Sequence, residues 1–316
     1  MSDFAFICWE LKRRKPLSIH GGYPCIGYPQ ADKLVPAFKK VGADVQIFEF
    51  CDYADLDFAN HPEKDQPEPF KKIGQELTSD KVLIEWDGIT SWRDYKNIFG
   101  WNKEIYILPH NSVIFGGYQT GDGEARIREE AVKGATKIIF QLQWEIDWWK
   151  NLECDKFELV YSPTRTGIKF DKMESRKKLG ITTKYVLIAW GNYTDKQNEE
   201  LIPWIAEWKD TSLLFVGSGN EQALVDIAKK YNIINNVFFS PHGISDVDAD
   251  LWFSASDLCS YPRTGAGTST PTHVFGQGLG MVTIPLKMYH ELATLGGLIT
   301  SNNLKETTRE LLLNEE

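Results

Sequence analysis

The feature that most constrains this chain is a regular alternation of short apolar runs with amphipathic stretches of helical length. In the first half, the apolar runs are Phe4–Cys8, Val45–Phe48, Val82–Trp86, Ile105–Leu108, Lys137–Phe140 and Phe157–Tyr161. Helical patterns lie between them, at Ala31–Val41, Pro69–Thr78, Gly123–Gly134 and Gln143–Asn151. Strands that alternate with helices are joined by crossover connections, so this pattern predicts a parallel sheet with helices packed on it.

A turn-rich segment, 162–167, interrupts the alternation, which then restarts and continues to a helical pattern at Asn302–Asn314. A length of 316 residues also fits two domains of about 150 residues each. We therefore predict an α/β protein of two Rossmann-like, doubly wound parallel-sheet domains, residues 1–165 and 166–316, that face a cleft. Because ligands of such sheets bind outside the carboxyl ends of the strands, the cleft is the expected site.

Charge and cysteine usage exclude several classes of protein. A net charge of −9 argues against a general nucleic-acid coat, although the basic cluster Lys12–Lys15 leaves local phosphate or peripheral membrane contact open. The five cysteines form no CxxC pair, which favours reduced thiols and a cytoplasmic protein. No apolar run reaches about 18 residues, and the first residues lack the pattern of a secretory signal, so no transmembrane segment is expected.

The strand predicted at Tyr185–Trp190 is followed directly by Gly191 and Asn192, and Lys196 lies four residues after Asn192. Gly191 allows a sharp turn and a close approach of the backbone to a ligand. A lysine at the start of a helix opposes the helix dipole unless an anion shares the site. This arrangement favours a phosphate contact, with a solvated lysine after a turn as the alternative.

Two further strand ends carry turn residues that suit a ligand. Gly217 and Ser218 follow the strand at Ser212–Val216, and His242 and Gly243 follow the strand at Val237–Ser240. The second loop can present backbone groups and an imidazole to a nucleobase. A tight turn that leads into a helix explains each of these motifs without a ligand, so both readings stay open.

The most distinctive motif is the glycine- and hydroxyl-rich loop that follows the strand Leu258–Tyr261. Pro271 suits the first position of the next helix and Thr270 its N-cap. The free N–H groups at such a helix start form an anion site, to which Arg263 would add a fixed positive charge. The hydroxyl residues placed at this candidate site are Thr268, Ser269, Thr270 and Thr272.

The first half offers two candidate positions. Gly21 and Gly22 follow the first strand and the basic cluster, where they would approach a phosphate or a sugar. His110 ends the strand that begins near Ile105, so it is expected to face the cleft. It is either a hydrogen-bonding group for a sugar hydroxyl or a satisfied structural histidine.

In chain order, these motifs resemble the retaining family 4 glycosyltransferases, which have the GT-B fold. The resemblance covers nearly the whole chain in short pieces and is strongest in the second half. There, Ser175–Gly180 resembles the link helix of the family, and Gly191 to Lys196 resembles its phosphate motif. The strands and turns that follow in the family are resembled by Leu213–Gly219, Val237–Gly243 and Leu251–Pro262. Two features depart from the family pattern. Asn192 stands where the family has an arginine, and a pair of glutamates before the last donor strand is replaced by Thr, Gly or His residues.

The resemblance implies transfer of a sugar from a nucleoside-diphosphate-sugar to an acceptor hydroxyl with retention of configuration. Lys196 and Arg263 would stabilise the leaving diphosphate and His110 would orient the sugar. The donor would be the only cofactor-like molecule, with UDP as its expected nucleotide and no metal required, and the acceptor would be a glycan, a lipid or a DNA base. Two alternatives stay open: a DNA-modifying enzyme that glycosylates a hydroxymethylated base, and a non-catalytic nucleotide-sugar-binding protein.

Overall fold

The computed structural model describes residues 2–8, 31–49, 53, 68–87, 98–110, 132–149, 155–161, 166–192, 196–241, 244, 246–262 and 269–314. The chain divides into two compact units, Met1–Pro163 and Thr164–Glu316. The division falls in the turn-rich segment in which the sequence places its boundary.

The described part of the first unit contains a six-stranded parallel sheet. Its strands are β1 (Phe4–Cys8), β2 (Val45–Glu49), β3 (Lys81–Asp87), β4 (Glu104–His110), β5 (Lys137–Phe140) and β6 (Phe157–Leu159). The order across the sheet is β2-β1-β3-β4-β5-β6. The helices are α1 (Ala31–Lys40), α2 (Glu68–Glu76) and α3 (Gln143–Trp149); most of the helix predicted at Gly123–Gly134 lies outside the described residues.

Strand β1 shows why helices cover both faces of this sheet. Successive side chains of a strand point to opposite faces. Ala5 and Ile7 belong to one buried apolar cluster, whereas Phe6 and Cys8 belong to another. A strand whose two faces are both buried reads as a continuous apolar run, and this is the pattern of a parallel sheet between two helical layers.

The second unit also contains a six-stranded parallel sheet within its described residues. Its strands are β7 (Tyr185–Asn192), β8 (Thr211–Ser218), β9 (Val237–Phe239), β10 (Leu258–Tyr261), β11 (Gly280–Thr283) and β12 (Leu298–Thr300). The order is β12-β11-β10-β7-β8-β9, which is the 3-2-1-4-5-6 order of a Rossmann sheet. The prediction of two doubly wound parallel sheets is therefore confirmed.

The helices of the second unit connect these strands and cover the sheet. They are α4 (Lys172–Leu179), α5 (Leu201–Glu207), α6 (Glu221–Lys230), α7 (Asp246–Ala255), α8 (Ser269–Gly276), α9 (Lys287–Thr294) and α10 (Leu304–Leu313), with 3₁₀ helices at Lys196–Glu200 and Ile234–Asn236. The sequence patterns missed α9 and the edge strand β12. Both are short, and β12 has an exposed Ile299 instead of a buried apolar run.

Two helix starts differ from the prediction. The segment after β7 begins as the 3₁₀ helix Lys196–Glu200 before α5, because Pro203 lacks the N–H that an α-helical bond to Glu199 would need. Lys196 therefore starts a 3₁₀ helix, not an α-helix. Helix α8 begins at Ser269, so Thr270 is inside the helix instead of being its N-cap, and Pro271 occupies the third position of the first turn.

The strand beginnings in the second unit, here called the amino edge, are held by charged side chains. The carboxylate of Asp257 accepts hydrogen bonds from Arg176 at 2.6 Å, Lys172 at 2.8 Å and the backbone N–H of Val186 at 2.7 Å. Arg176 also donates to the backbone carbonyls of Ala255 and Lys184, at 2.9 Å each. Because Arg176 and Asp257 are both buried, this pair fixes α4 against the starts of β7 and β10.

A second charged contact lies at the start of β8. Arg309 of α10 donates to the carboxylate of Asp210 at 3.0 Å and to the hydroxyl of Thr211 at 3.1 Å. Its guanidinium also lies over the rings of Trp208 and Tyr185, at 5.4 and 5.5 Å. The hydrogen bond from Arg309 lowers the pKa of Asp210 below its usual value, since it favours the charged carboxylate.

Candidate functional site

The strand order of the second unit locates its default ligand site. The direction of winding reverses between β7 and β10, which are neighbours in the sheet but are separated in sequence by β8 and β9. In open α/β sheets, ligands bind outside the carboxyl ends of the strands at such a switch point. The residues that follow β7 and β10 are those in which the sequence places Lys196 and Arg263.

The strand ends of the second unit, here called the carboxyl edge, carry two glycines in direct register. Gly191 of β7 pairs with Gly217 of β8, and Asn192 pairs with Ser218. Both glycines have positive φ, 110° and 147°. A Cβ at position 217 would lie 1.9 Å from the carbonyl oxygen of Gly191, so no larger residue fits there without a shift of the backbone.

Gly217 therefore has a structural reason to be glycine, whether or not a ligand lies beside it. Its N–H donates to the hydroxyl of Ser240 at 3.1 Å, and Ser240 is buried at the end of β9. The turn continues into α6, where the side chain of Asn220 accepts a hydrogen bond from the N–H of Ala223 at 3.3 Å. The glycine turn therefore fixes β7, β8 and β9 relative to one another at the carboxyl edge.

Helix α8 starts beyond β10 at the same edge. The first N–H groups of a helix have no partner within it, and since Pro271 has no N–H, those of Ser269, Thr270 and Thr272 remain. Thr272 is buried, with 7% of its surface exposed. The side chains of Ser269 and Thr270 lie outside the described residues, so the structure places these two residues by their backbone.

Three aromatic rings pack beneath this edge and join β7 to α7 and α8. His273 stacks on Trp190 with ring centroids 4.6 Å apart and an angle of 13° between the planes. Phe253 lies 4.9 Å from Trp190 and 5.4 Å from His273. We call these residues the three-ring cluster; sequence reasoning missed it, because one strand residue and two helix residues far apart in sequence show no shared pattern.

The strands beneath the cluster are also fixed by buried groups. Burial raises the pKa of the Cys259 thiol to about 12, and the thiol is hydrogen-bonded to the Trp190 backbone. Thr283 donates its hydroxyl proton to the carbonyl of Tyr261 at 2.7 Å. The ends of β7, β10 and β11 are therefore tied by side chains as well as by the sheet itself.

In the first unit, the winding reverses between β1 and β3. His110 ends β4 and is the backbone partner of Asp87, which ends β3. The strand pairing therefore places both residues at the carboxyl edge of the first sheet, and Asp87 is a candidate that sequence reasoning missed. The signal was present in the sequence, since Asp87 directly follows the predicted run Val82–Trp86, just as His110 follows the run Ile105–Leu108 at its strand end.

The structure brings part of the predicted site together and does not describe the rest. Gly191, Asn192, Gly217, Ser218 and the start of α8 share the carboxyl edge of the second sheet. Four further residues are described by their backbone alone, without their side chains: His110, Asn192, Lys196 and Ser218. Also outside the described residues are Gly21, Gly22, His242, Gly243, Arg263 and Thr268.

Within the described ranges, no group of three or more His, Cys, Asp or Glu side chains is placed to hold a metal ion. No helix in the described part of the chain is both long and apolar enough to cross a membrane.

Comparisons of the sequence with known proteins find little. No protein-family model matches the chain. A curated protein, 3-O-methyltransferase 2 of Phanerochaete chrysosporium, is 24% identical over 139 residues. That match covers 40% of this chain and 30% of the methyltransferase, so the chain spans under a third of the relative's length.

Comparisons of the structure find similar folds over nearly the whole chain. Sucrose-phosphate synthase from Thermosynechococcus elongatus matches with a TM-score of 0.73 and 13% identity, over 99% of this chain and 90% of that protein. Anabaena HepE, in complex with UDP-glucose, matches with a TM-score of 0.65 and 15% identity, over 98% and 89% of the two chains. WaaG, a glycosyltransferase involved in lipopolysaccharide biosynthesis, matches with a TM-score of 0.53 and 15% identity, over 98% and 90%.

These likenesses establish the fold. The chain has the GT-B fold of glycosyltransferases, as its two Rossmann-like sheets predicted. At identities this low, the assignment to the retaining family 4 stays a prediction.

Proposed function

We propose that this protein is a glycosyltransferase that moves a sugar from a nucleoside-diphosphate-sugar, with UDP as the nucleotide, to an acceptor hydroxyl with retention of configuration. The observation that carries this proposal is the carboxyl edge of the second sheet. There the glycine pair Gly191–Gly217 and the start of α8 lie at the ends of neighbouring strands of a 3-2-1-4-5-6 sheet. Similar folds hold UDP and UDP-glucose, as in Anabaena HepE.

The chemistry of the proposal follows from the charge that develops on the leaving diphosphate. As the glycosidic bond breaks, negative charge grows on the oxygen that remains with the nucleotide. Cations and helix N–H groups that are already in place stabilise this charge more than they stabilise the bound donor. We assign this role to Lys196, Arg263 and the first turn of α8, and we assign orientation of the sugar to His110.

A thermal-shift panel tests donor binding. The purified protein is mixed separately with UDP-, GDP-, ADP- and dTDP-sugars and, because of the partial methyltransferase match, with the methyl donor S-adenosylmethionine. A ligand that binds only the folded state raises the melting temperature by mass action. We expect a shift of several degrees with a UDP-sugar, and a shift with S-adenosylmethionine alone would overturn the proposal.

Lys196→Ala is expected to abolish that shift, because it removes the proposed phosphate contact. Lys209→Ala is the matched control: Lys209 is an exposed lysine that precedes β8 at the amino edge, and its loss should leave the shift unchanged. Equal shifts in wild-type protein and in Lys196→Ala would remove Lys196 from the donor site.

Transfer itself is tested with a panel of glycan, lipid and hydroxymethylated DNA acceptors, with and without a chelator. We expect a product whose anomeric configuration, read by NMR, is that of the donor, and whose yield survives the chelator. Donor binding without transfer or hydrolysis would favour the non-catalytic alternative.

A further inference from the structure

The three-ring cluster joins the two segments on which the proposed donor site depends. Trp190 is the residue directly before Gly191, and His273 lies one helical turn after Ser269 and Thr270. The rings of Trp190 and His273 therefore link the end of β7 to α8, one turn after the start of the helix. The cluster is also closed to solvent, with Trp190 4% exposed, Phe253 2% and His273 6%.

Helix α8 is short and closely packed. It spans eight residues, or little more than two turns, and four consecutive residues, Pro271–Val274, are buried. Among the described aromatic contacts of α8, the stack of His273 on Trp190 is the contact with the end of β7, which borders the switch point. A displaced ring at position 273 would therefore move the helix start relative to Gly191.

We infer that His273 is a positioning residue for donor binding, which acts through its flat ring: by stacking on Trp190, it sets the distance between the Gly191 turn and the N–H groups at the start of α8. The inference rests on the proposed function for its ligand, a nucleoside diphosphate. Groups that bind a diphosphate must be held within about half an ångström of their working geometry. His273 acts on the diphosphate through α8 and is not itself a ligand-binding group.

Two substitutions separate a role of the ring from a role of its nitrogen atoms. His273→Phe keeps a flat ring for the stack, whereas His273→Asn keeps a hydrogen-bonding side chain and removes the ring. We expect His273→Phe to retain donor affinity within a few-fold and His273→Asn to lose about tenfold or more. The reverse order would show that His273 acts through its polar atoms, and the inference would be wrong.

Arg309→Met serves as the control for general loss of stability. Arg309 lies at the amino edge, over the rings of Tyr185 and Trp208, so its loss should lower the melting temperature without changing the donor dissociation constant. If Arg309→Met weakens donor binding as much as His273→Asn does at an equal drop in melting temperature, the effect at position 273 is merely structural.

Hydrogen–deuterium exchange of the ligand-free protein provides a readout that does not depend on the donor. We expect the amides of 269–277 to exchange about tenfold faster in His273→Asn than in wild type, and at nearly the wild-type rate in His273→Phe. Arg309→Met should leave this peptide unchanged. If no nucleotide-sugar binds the wild-type protein, the proposed function fails, and hydrogen exchange alone then tests whether the ring of His273 positions α8. Equal exchange rates in all variants would overturn that positioning role.

Discussion

The two edges of the second sheet are built from different chemistry. At the amino edge, Asp257, Arg176, Asp210 and Arg309 are charged, and each is hydrogen-bonded to a partner within the same unit. At the carboxyl edge, the described strand ends carry glycines and hydroxyls, with Gly191 and Gly217 in register. The charged side chains of the amino edge are therefore paired within the fold, whereas the first N–H groups of α8 at the carboxyl edge have no partner inside their own helix.

The family resemblance covers residues at both edges without distinguishing their roles, whereas the structure assigns different roles to the two edges. Arg176 lies in the segment that resembles the link helix, and Asp257 in the stretch before β10. The structure gives both a role in joining α4 to the starts of β7 and β10. Substitutions at the two edges should then have different signatures: loss of stability at the amino edge, and loss of donor binding at the carboxyl edge.

Loss of Asp257 should produce the largest effect on stability. Asp257→Ala leaves Arg176 buried without its carboxylate and removes the acceptor of the Val186 N–H. Removal of one partner of a buried ion pair costs about 3–5 kcal/mol, so we expect a clear fall in the melting temperature measured by calorimetry. In the double variant with Arg176→Ala, the loss should be smaller than the sum of the two single losses; simple additivity would show that the pair is not coupled.

Gly217→Ala should affect both stability and donor binding, because the new Cβ would meet the carbonyl of Gly191 at 1.9 Å. Gly180→Ala is the matched control: its φ is 71°, but no atom lies within 4 Å of its added Cβ. We expect about 1 kcal/mol of destabilisation for Gly180→Ala, from its backbone conformation alone. Gly217→Ala should cost more than that and should weaken donor binding, as read by denaturation and thermal shift. Equal losses for the two variants would remove the close approach as a cause.

Loss of the Asp210 charge should have the smallest effect, and it should depend on pH. Arg309 lowers the pKa of folded Asp210 below its unfolded value, so its stabilising contribution is fully present above the unfolded pKa and is lost as the pH falls through the folded pKa. The side chain of Asp210 is 42% exposed, which limits the contribution at neutral pH to about 1 kcal/mol or less. The melting temperatures of wild type and Asp210→Asn should differ at neutral pH and converge in acid. A difference that grows in acid would contradict the assigned pKa shift.

Much of the fold could be predicted from the sequence, because doubly wound sheets bury both faces of their strands. The runs Phe4–Cys8, Lys137–Phe140 and Leu258–Tyr261 are strands with the predicted bounds. The edge strand β12 was missed, since of its three residues only Leu298 is buried. The 3₁₀ start at Lys196–Glu200 was also missed, although Pro203 carried the signal.

The candidate site was predictable where it depends on strand ends and not where it depends on packing. The turns at Gly191 and Gly217 follow predicted strands, so their place at the carboxyl edge could be inferred. The contact of Gly217 with Gly191 and the stack of His273 on Trp190 depend on register and helix position, which sequence periodicity does not specify. The contributions of Lys196 and Arg263 stay predictions.

Cys259 offers a chemical probe of the sheet beneath the carboxyl edge. Its thiol is fully buried beside the Trp190 backbone, and its pKa of about 12 keeps it protonated at neutral pH. An alkylating reagent reacts with an accessible thiolate, so it can modify this cysteine only when the protein opens locally and exposes the thiol. The rate of labelling at this position, followed by peptide mass spectrometry, therefore reports how often this part of the second unit opens. A nucleotide bound to the turns after β7 and β10 should lower that rate.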